Sequence, residues 1–169
     1  MSSQERQAAF RIDSATDRDV PALLRMIRGL AEYERLAHMV VSTEESLRSA
    51  LFGARPVAEA IVARTPGGAA GFALFFHTYS TFAGRPGMYL EDLYVEPQWR
   101  RRGLGRRLLA RVAEIAAGRG CDRLSWSVLD WNEPALGFYR RLGATGQDEW
   151  TTHRLTGDAL ASLARTPRP

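Results

Sequence analysis

The chain has 169 residues, 45% apolar and 25% charged, a balance that suits one globular domain with a buried core and excludes an intrinsically disordered chain. No apolar run approaches the ~20 residues of a membrane span, and the polar start Met1–Gln7 lacks the apolar stretch of a secretory signal; a cytoplasmic protein with no membrane partner is expected. All 23 basic residues are arginine against 19 acids, for a net charge of +4 and a pI near 9.8, which points to an anionic partner.

In chain order, Phe10–Ile12 reads as a short strand. Thr16 or Asp17 then opens a helix with Val20, Leu23, Leu24, Ile27, Leu30 and Ala31 at helical spacing and Pro21 in its first turn. Ser42, with Glu45 three residues on, has the pattern of a capping box for a second helix ending near Leu51. Ala58–Ala63 and Ala70–Tyr79 read as a hairpin across the turn Thr65–Gly68. A Gly- and Pro-rich loop, Gly84–Gly87, precedes a strand over Met88–Val95. Gly103–Ala117 follows as a helix burying Leu104, Leu108, Val112, Ile115 and Ala116, stopped by Gly118 and Gly120. Arg123–Leu129 is the next expected strand. Asn132 caps a helix to Leu142 with Pro134 in its first turn and Gly143 at its end. Trp150–Leu155 reads as a last strand, before a short helix at Ala159–Leu163. With no repeat or linker, the reading is one α/β domain over 1–169, hairpins first and β-α-β units last, with flexible ends at about 1–8 and 165–169.

The charge is not spread evenly. Six arginines lie between Arg100 and Arg111 with no acid among them, which favours one compact anion site over a broad nucleic-acid face, so no nucleic-acid partner is expected. Arg100-Arg101-Arg102-Gly103-Leu104-Gly105 follows a strand and opens a helix. Backbone N–H groups at such a helix start have no intrahelical acceptor, the helix dipole adds positive potential, and Gly103 and Gly105 let the main chain approach a ligand closely. Arg101, Arg102 and Arg106 would reinforce a phosphate cradle. The chain has no Lys for a P-loop and lacks the third glycine of the dinucleotide fingerprint.

Arg-x-x-Gly-x-Gly at Arg100–Gly105 after Tyr94-Val95 resembles the CoA pyrophosphate motif of the GNAT acetyltransferase superfamily. Asn132-Glu133-Pro134-Ala135 with Phe138-Tyr139 resembles its second CoA-contacting helix. Tyr89-Leu90-Glu91-Asp92, Trp131-Asn132-Glu133-Pro134, Phe138-Tyr139-Arg140-Arg141 and Leu30-Ala31-Glu32-Tyr33-Glu34 are similar to the diamine acetyltransferases, the spermidine/spermine group that includes thialysine acetyltransferases. The resemblance runs from about Phe10 to Leu163. It implies a GNAT fold: a mixed, mostly antiparallel sheet of about seven strands with flanking helices and a CoA cleft between two splayed central parallel strands. It also implies a homodimer.

The activity implied is direct acetyl transfer from acetyl-CoA to a primary amine of a small molecule. By resemblance the cofactor contacts are Leu93, Tyr94, Val95, Arg100, Arg101, Arg102, Gly103, Leu104, Gly105, Arg106, Asn132, Glu133, Pro134, Ala135 and Tyr139. The Leu93 N–H would stabilise the oxyanion, Tyr139 would act as general acid on the sulfur, and Glu91 would accept the amine proton directly or through a water. Tyr33, Glu34, Glu91, Asp92, Trp126, Glu149 and Trp150 are the implied substrate contacts. From alternation alone, Glu91 and Asp92 should point to opposite faces of a central strand, leaving at least one carboxylate where water is scarce.

One departure bears on the acceptor. The family's loop between the third and fourth strands carries an acid and a Trp where this chain has Ser80 and Phe82, which favours a small amine over a long polyamine. His38, His77 and His153 lack ligand spacing and Cys121 has no partner, so no metal is expected. Two other readings remain at this level: a protein Lys or N-terminal acetyltransferase, and a CoA-binding regulatory protein without catalysis.

Overall fold

The computed structural model describes residues 10–166; most of the two expected flexible ends lies outside these residues. The chain divides into two compact units, Met1–Leu129 and Asp130–Pro169. The first contains β1 (Arg11–Ser14), α1 (Val20–Tyr33), α2 (Glu44–Phe52), β2 (Glu59–Thr65), β3 (Gly68–Ser80), β4 (Arg85–Val95), α3 (Leu104–Gly118) and β5 (Leu124–Ser125). The second contains α4 (Glu133–Arg140) and α5 (Gly157–Ala164).

The five strands run in the order β1-β2-β3-β4-β5. The first three pairings are antiparallel and β4–β5 is parallel, so the sheet is mixed, as expected, with five strands among the described residues instead of about seven. On one face, Leu23 and Met26 of α1 and Leu51 of α2 pack with Ala60, Val62, Phe72, Leu74 and Tyr94 of the sheet. The other face receives α3, whose Leu104, Leu108 and Val112 are buried. Gly71 makes that packing close: a Cβ there would lie 2.7 Å from the Tyr94 carbonyl oxygen and 3.2 Å from Leu108 Cδ1.

The start of α1 is pinned by buried Asp19. Its carboxylate accepts from the Thr16 N–H (2.7 Å) and hydroxyl (2.9 Å) and forms a two-pronged pair with Arg64 of β2, Nη2 to Oδ2 being 2.8 Å. Arg64 holds the Asp19 carboxyl down at about 2.

Several sequence expectations are corrected. The cap of α2 is Thr43, not Ser42: Thr43 Oγ1 accepts the Ser46 N–H at 3.1 Å, and Ser46 Oγ accepts the Thr43 N–H at 2.9 Å. β4 begins at Arg85 instead of Met88, because the β3–β4 turn is confined to 81–84. Gly87 is a strand residue whose missing Cβ makes room for Thr78 Oγ1, 2.7 Å from the position that atom would take. The strand expected over Arg123–Leu129 shrinks to Leu124–Ser125, since pairing with β4 stops there. Trp150–Leu155 carries no ladder; β propensity cannot make a strand without a paired neighbour.

Candidate active site

The segment after β4 is a short 3-10 turn, Pro97–Trp99, followed by Arg100 in extended backbone. Arg101 then takes φ 59° and Gly103 φ 79°, two left-handed residues, of which the arginine is a strained one. The first main-chain bond into α3 runs from the Arg107 N–H to the Gly103 oxygen at 3.1 Å. The amides at the helix start therefore lie before the first intrahelical bond, at the positive end of a 15-residue helix. Gly105 lies against Val95, where a Cβ would sit 3.8 Å from Val95 Cγ2. Arg101, Arg102 and Arg106 are exposed, and Arg102 stacks over Trp99. Arg100 is committed differently: its Nε donates to the Val95 oxygen at 2.9 Å, and its guanidinium lies over the rings of Tyr33 and Tyr94.

The β4–β5 ladder consists of Met88↔Leu124 and Tyr89↔Ser125 alone. Beyond it the Tyr89 hydroxyl and Ser127 Oγ share a 2.7 Å hydrogen bond, while Leu90–Val95 continue with no ladder partner on the β5 side among the described residues. The pairing ends there and leaves main-chain groups of β4 for an added extended chain. Trp126 is half-buried just past the last pair.

A break in register lies on the same stretch. Leu90 pairs with Phe75 and Asp92 with Leu74, so Glu91 is an extra residue in β4. Alternation would put Asp92 on the face of Leu90. The bulge moves it instead to the face of its partner Leu74 and of Tyr94, which is the α1 face. The expectation that Glu91 and Asp92 face opposite sides is thereby corrected: the bulge interrupts the period-two pattern. Glu91 is exposed and Asp92 half-buried. Burial, with the nearby charges of Glu91 and Glu34, raises the Asp92 carboxyl to about 6. Burial also raises Glu34, which ends α1 as its C-cap, before Arg35 turns the chain at φ 63°.

The first unit thus brings together Tyr33, Glu34, Glu91 and Asp92 at one end of α1 and the middle of β4. Ser80 is engaged in its own turn, where its Oγ accepts the Ala83 N–H at 3.1 Å, and Phe82 at the tip is 95% exposed.

In the second unit, buried Asn132 caps α4, with Oδ1 accepting the Ala135 N–H at 3.3 Å, while Glu133 and Pro134 form the first turn. Tyr139 lies half-buried in the last turn beside Phe138, ring centroids 5.1 Å apart. Glu149 and Trp150 are exposed, Trp150 by 75%.

Residues 26–144 match the Acetyltransferase (GNAT) family. The chain belongs to that family. This N-acetyltransferase is 40% identical, over 93% of its length and 98% of the relative's, to a thialysine N-epsilon-acetyltransferase of Mus musculus. It is 34% identical to an L-ornithine N5-acetyltransferase of Arabidopsis thaliana, over 90% of this chain and 87% of the other. Among solved structures, an integron cassette protein from the mobile metagenome of V. cholerae superposes with a TM-score of 0.78 at 25% identity, covering 94% of this chain and 99% of its own.

For this acetyltransferase, the sequence marks the glycine loop and the carboxylate pair, and the structure adds the surroundings of each carboxylate. Glu91 is the base that the resemblance implies; its neighbour Asp92 is half-buried, and burial raises its carboxyl to about 6. The bulge that decides this left no mark in the sequence. Arg100 is a cofactor contact by resemblance, as the first residue of the Arg-x-x-Gly-x-Gly motif; its stacking on Tyr33 and Tyr94 is not legible in the sequence, because Tyr33 lies far away in the chain.

Proposed function

We propose that this N-acetyltransferase acetylates the terminal primary amine of a small cationic molecule, of the thialysine, ornithine or short-polyamine class. The observation that carries the reading is the acidic end of α1. Glu34, Glu91 and Asp92 converge electrostatically on one stretch of β4, with no basic residue among the charges acting on Asp92. Such a place attracts a cation and, with a carboxyl near 6, holds a base ionised at neutral pH. The names of the relatives, a thialysine and an L-ornithine acetyltransferase, support the same class.

Acetyl-CoA supplies the acetyl group as an activated thioester. The residues present fit it: left-handed Arg101 and Gly103, the amides opening α3, and exposed Arg101, Arg102 and Arg106 suit a diphosphate. Leu93, Tyr94 and Val95, on the open edge of β4, suit a pantetheine-like chain. Asn132, Glu133, Pro134 and Ala135 would contribute from α4. The Leu93 N–H would polarise the acetyl carbonyl. Asp92 accepts the amine proton, Glu91 and Glu34 hold the cation, and the Tyr139 hydroxyl donates a proton to the departing sulfur. Tyr33, Trp126, Glu149 and Trp150 complete the proposed acceptor contacts.

One domain, cytoplasmic location and a homodimer belong to the same proposal. The family match runs across the Leu129/Asp130 division, no helix among the described residues is long and apolar enough to cross a membrane, and exposed Trp150, Leu155, Leu160 and Leu163 offer an apolar surface to a second copy.

The test is thioester consumption measured in parallel on thialysine, ornithine, spermidine, lysine, an aminoglycoside and a Lys-containing peptide. Turnover on the short cationic amines is expected. Turnover on the peptide alone would overturn the proposal.

A further inference from the structure

We infer that Arg100 is a positioning residue that locks the acceptor end of α1 to the cofactor loop, and not a ligand of the cofactor phosphates. The inference rests on the acetyl-CoA reading above and reassigns one residue of its arginine run.

Four observations carry it. Arg100 Nε is already bonded to the Val95 oxygen at 2.9 Å, which aims the guanidinium back along β4. The guanidinium carbon lies 5.1 Å from the centroid of Tyr33, the last residue of α1, and 5.5 Å from that of Tyr94 in β4, within cation–π range of both. Tyr94 in turn runs beneath α1: a Cβ on Gly29 would lie 2.6 Å from the Tyr94 hydroxyl oxygen, so the glycine lets helix and ring meet. A second tie, Arg25 of α1 to Glu96 at 3.4 Å, joins the same helix to the residue after β4.

The backbone supports the same division of labour. Arg100 is extended, and the chain turns left-handed only at Arg101. Arg100, exposed like its two neighbours, therefore precedes the turn that carries Arg101 and Arg102 to the amides opening α3, and what sets it apart is its bond to Val95 and its two tyrosine contacts. What Arg100 joins is chemically distinct: Tyr33 adjoins Glu34, one of the carboxylates acting on Asp92, while Arg101 begins the anion loop. A planar, delocalised cation is needed for this bridge. Lysine would keep the charge but lose both the flat stacking surface and the Nε donor.

Arg100→Met and Arg100→Lys test it through three measurements on the full chain. In calorimetry with CoA, both variants should keep the dissociation constant within about threefold, because the loop amides and three arginines remain. In steady-state assays, KM for the amine should rise about 10-fold with kcat nearly unchanged, as expected for lost uniform binding. Hydrogen exchange in the free protein should speed up about 10-fold at the Glu34 and Leu36 amides, which close the end of α1 onto Leu30 and Ala31, and stay unchanged at Leu108.

A CoA affinity that falls about 10-fold or more in Arg100→Met with amine KM unmoved would make Arg100 a phosphate ligand and overturn the inference. So would wild-type behaviour of Arg100→Lys, since the brace requires the plane. Should Arg100→Met not fold, Arg100→Lys is read by the same criteria. If the wild-type protein turns over none of the amines, the acceptor proposal fails by itself, and CoA affinity and exchange at the end of α1 still decide the role of Arg100.

Discussion

Asp19 and Asp92 are two shielded carboxylates of one sheet-and-helix unit, treated in opposite ways. Asp19 is met by Arg64 and by the Thr16 amide and hydroxyl, and its carboxyl falls to about 2. Asp92 is met by burial and by the charges of two other acids, and its carboxyl rises to about 6. A chain with 23 arginines does not lack cations. That six of them cluster at 100–111 while none among the described residues is a charge acting on Asp92 separates two kinds of carboxylate: one joins elements, and the other is the one proposed above to meet a cation from outside.

The largest expected effects are on turnover. Tyr139→Phe, which deletes the proposed acid, should lower kcat by about 10- to 1000-fold with CoA affinity nearly intact; unchanged turnover would remove Tyr139 from the mechanism. Asp92→Asn should lower kcat/KM for the amine by about 100-fold, again at constant CoA affinity. Because the Asp92 carboxyl sits near 6, the wild-type kcat/KM should climb as pH rises through that value and the base ionises, and Asp92→Asn should lack that limb. If Glu91→Gln abolishes the limb and Asp92→Asn keeps it, the two carboxylates have exchanged roles. Asp19→Asn should behave in the reverse manner, sparing kcat/KM but costing about 3 kcal/mol of stability in urea unfolding, because it breaks the two-pronged pair with Arg64 and leaves that arginine only the longer contact to Asp13 at 3.5 Å.

The same contrast explains what was legible in the sequence. Gly103 writes a left-handed turn directly into the chain, and Gly105 keeps the first turn of α3 open beside Val95, so the loop and the start of α3 are readable from spacing. Asn132 as a cap was readable for a similar reason: its bond to Ala135 is local. Ser42 and Thr43 both carry hydroxyls, and only the geometry distinguishes the cap between them. The bulge at Glu91 is a matter of how β4 meets β3 at Leu74 and Phe75, and neither strand's composition records that pairing. Trp150–Leu155 has the residues of a strand but no ladder, again a non-local matter. The family resemblance located both carboxylates, yet which of them is desolvated followed from register.

The smallest expected effect, on stability against pH, separates the two aspartates without any assay of activity. Asp19 is lowered from 3.8 to about 2 on folding, so its contribution is fully present above pH 4 and is lost as pH falls toward 2. Asp92 has the opposite sign. Its carboxyl is raised from 3.8 to about 6, so folding penalises its ionisation; the penalty is absent below pH 4, grows between 4 and 6 and is complete above. Allowing for its partial exposure to solvent, that penalty is about 2 kcal/mol. Urea unfolding at pH 4 and pH 7 should therefore find Asp92→Asn gaining on the wild type by about that amount at the higher pH, while the margin of the wild type over Asp19→Asn holds across the same interval and shrinks only below it. Parallel curves for wild type and Asp92→Asn would mean that Asp92 carries no desolvated charge, and the distinction between the two carboxylates would be lost.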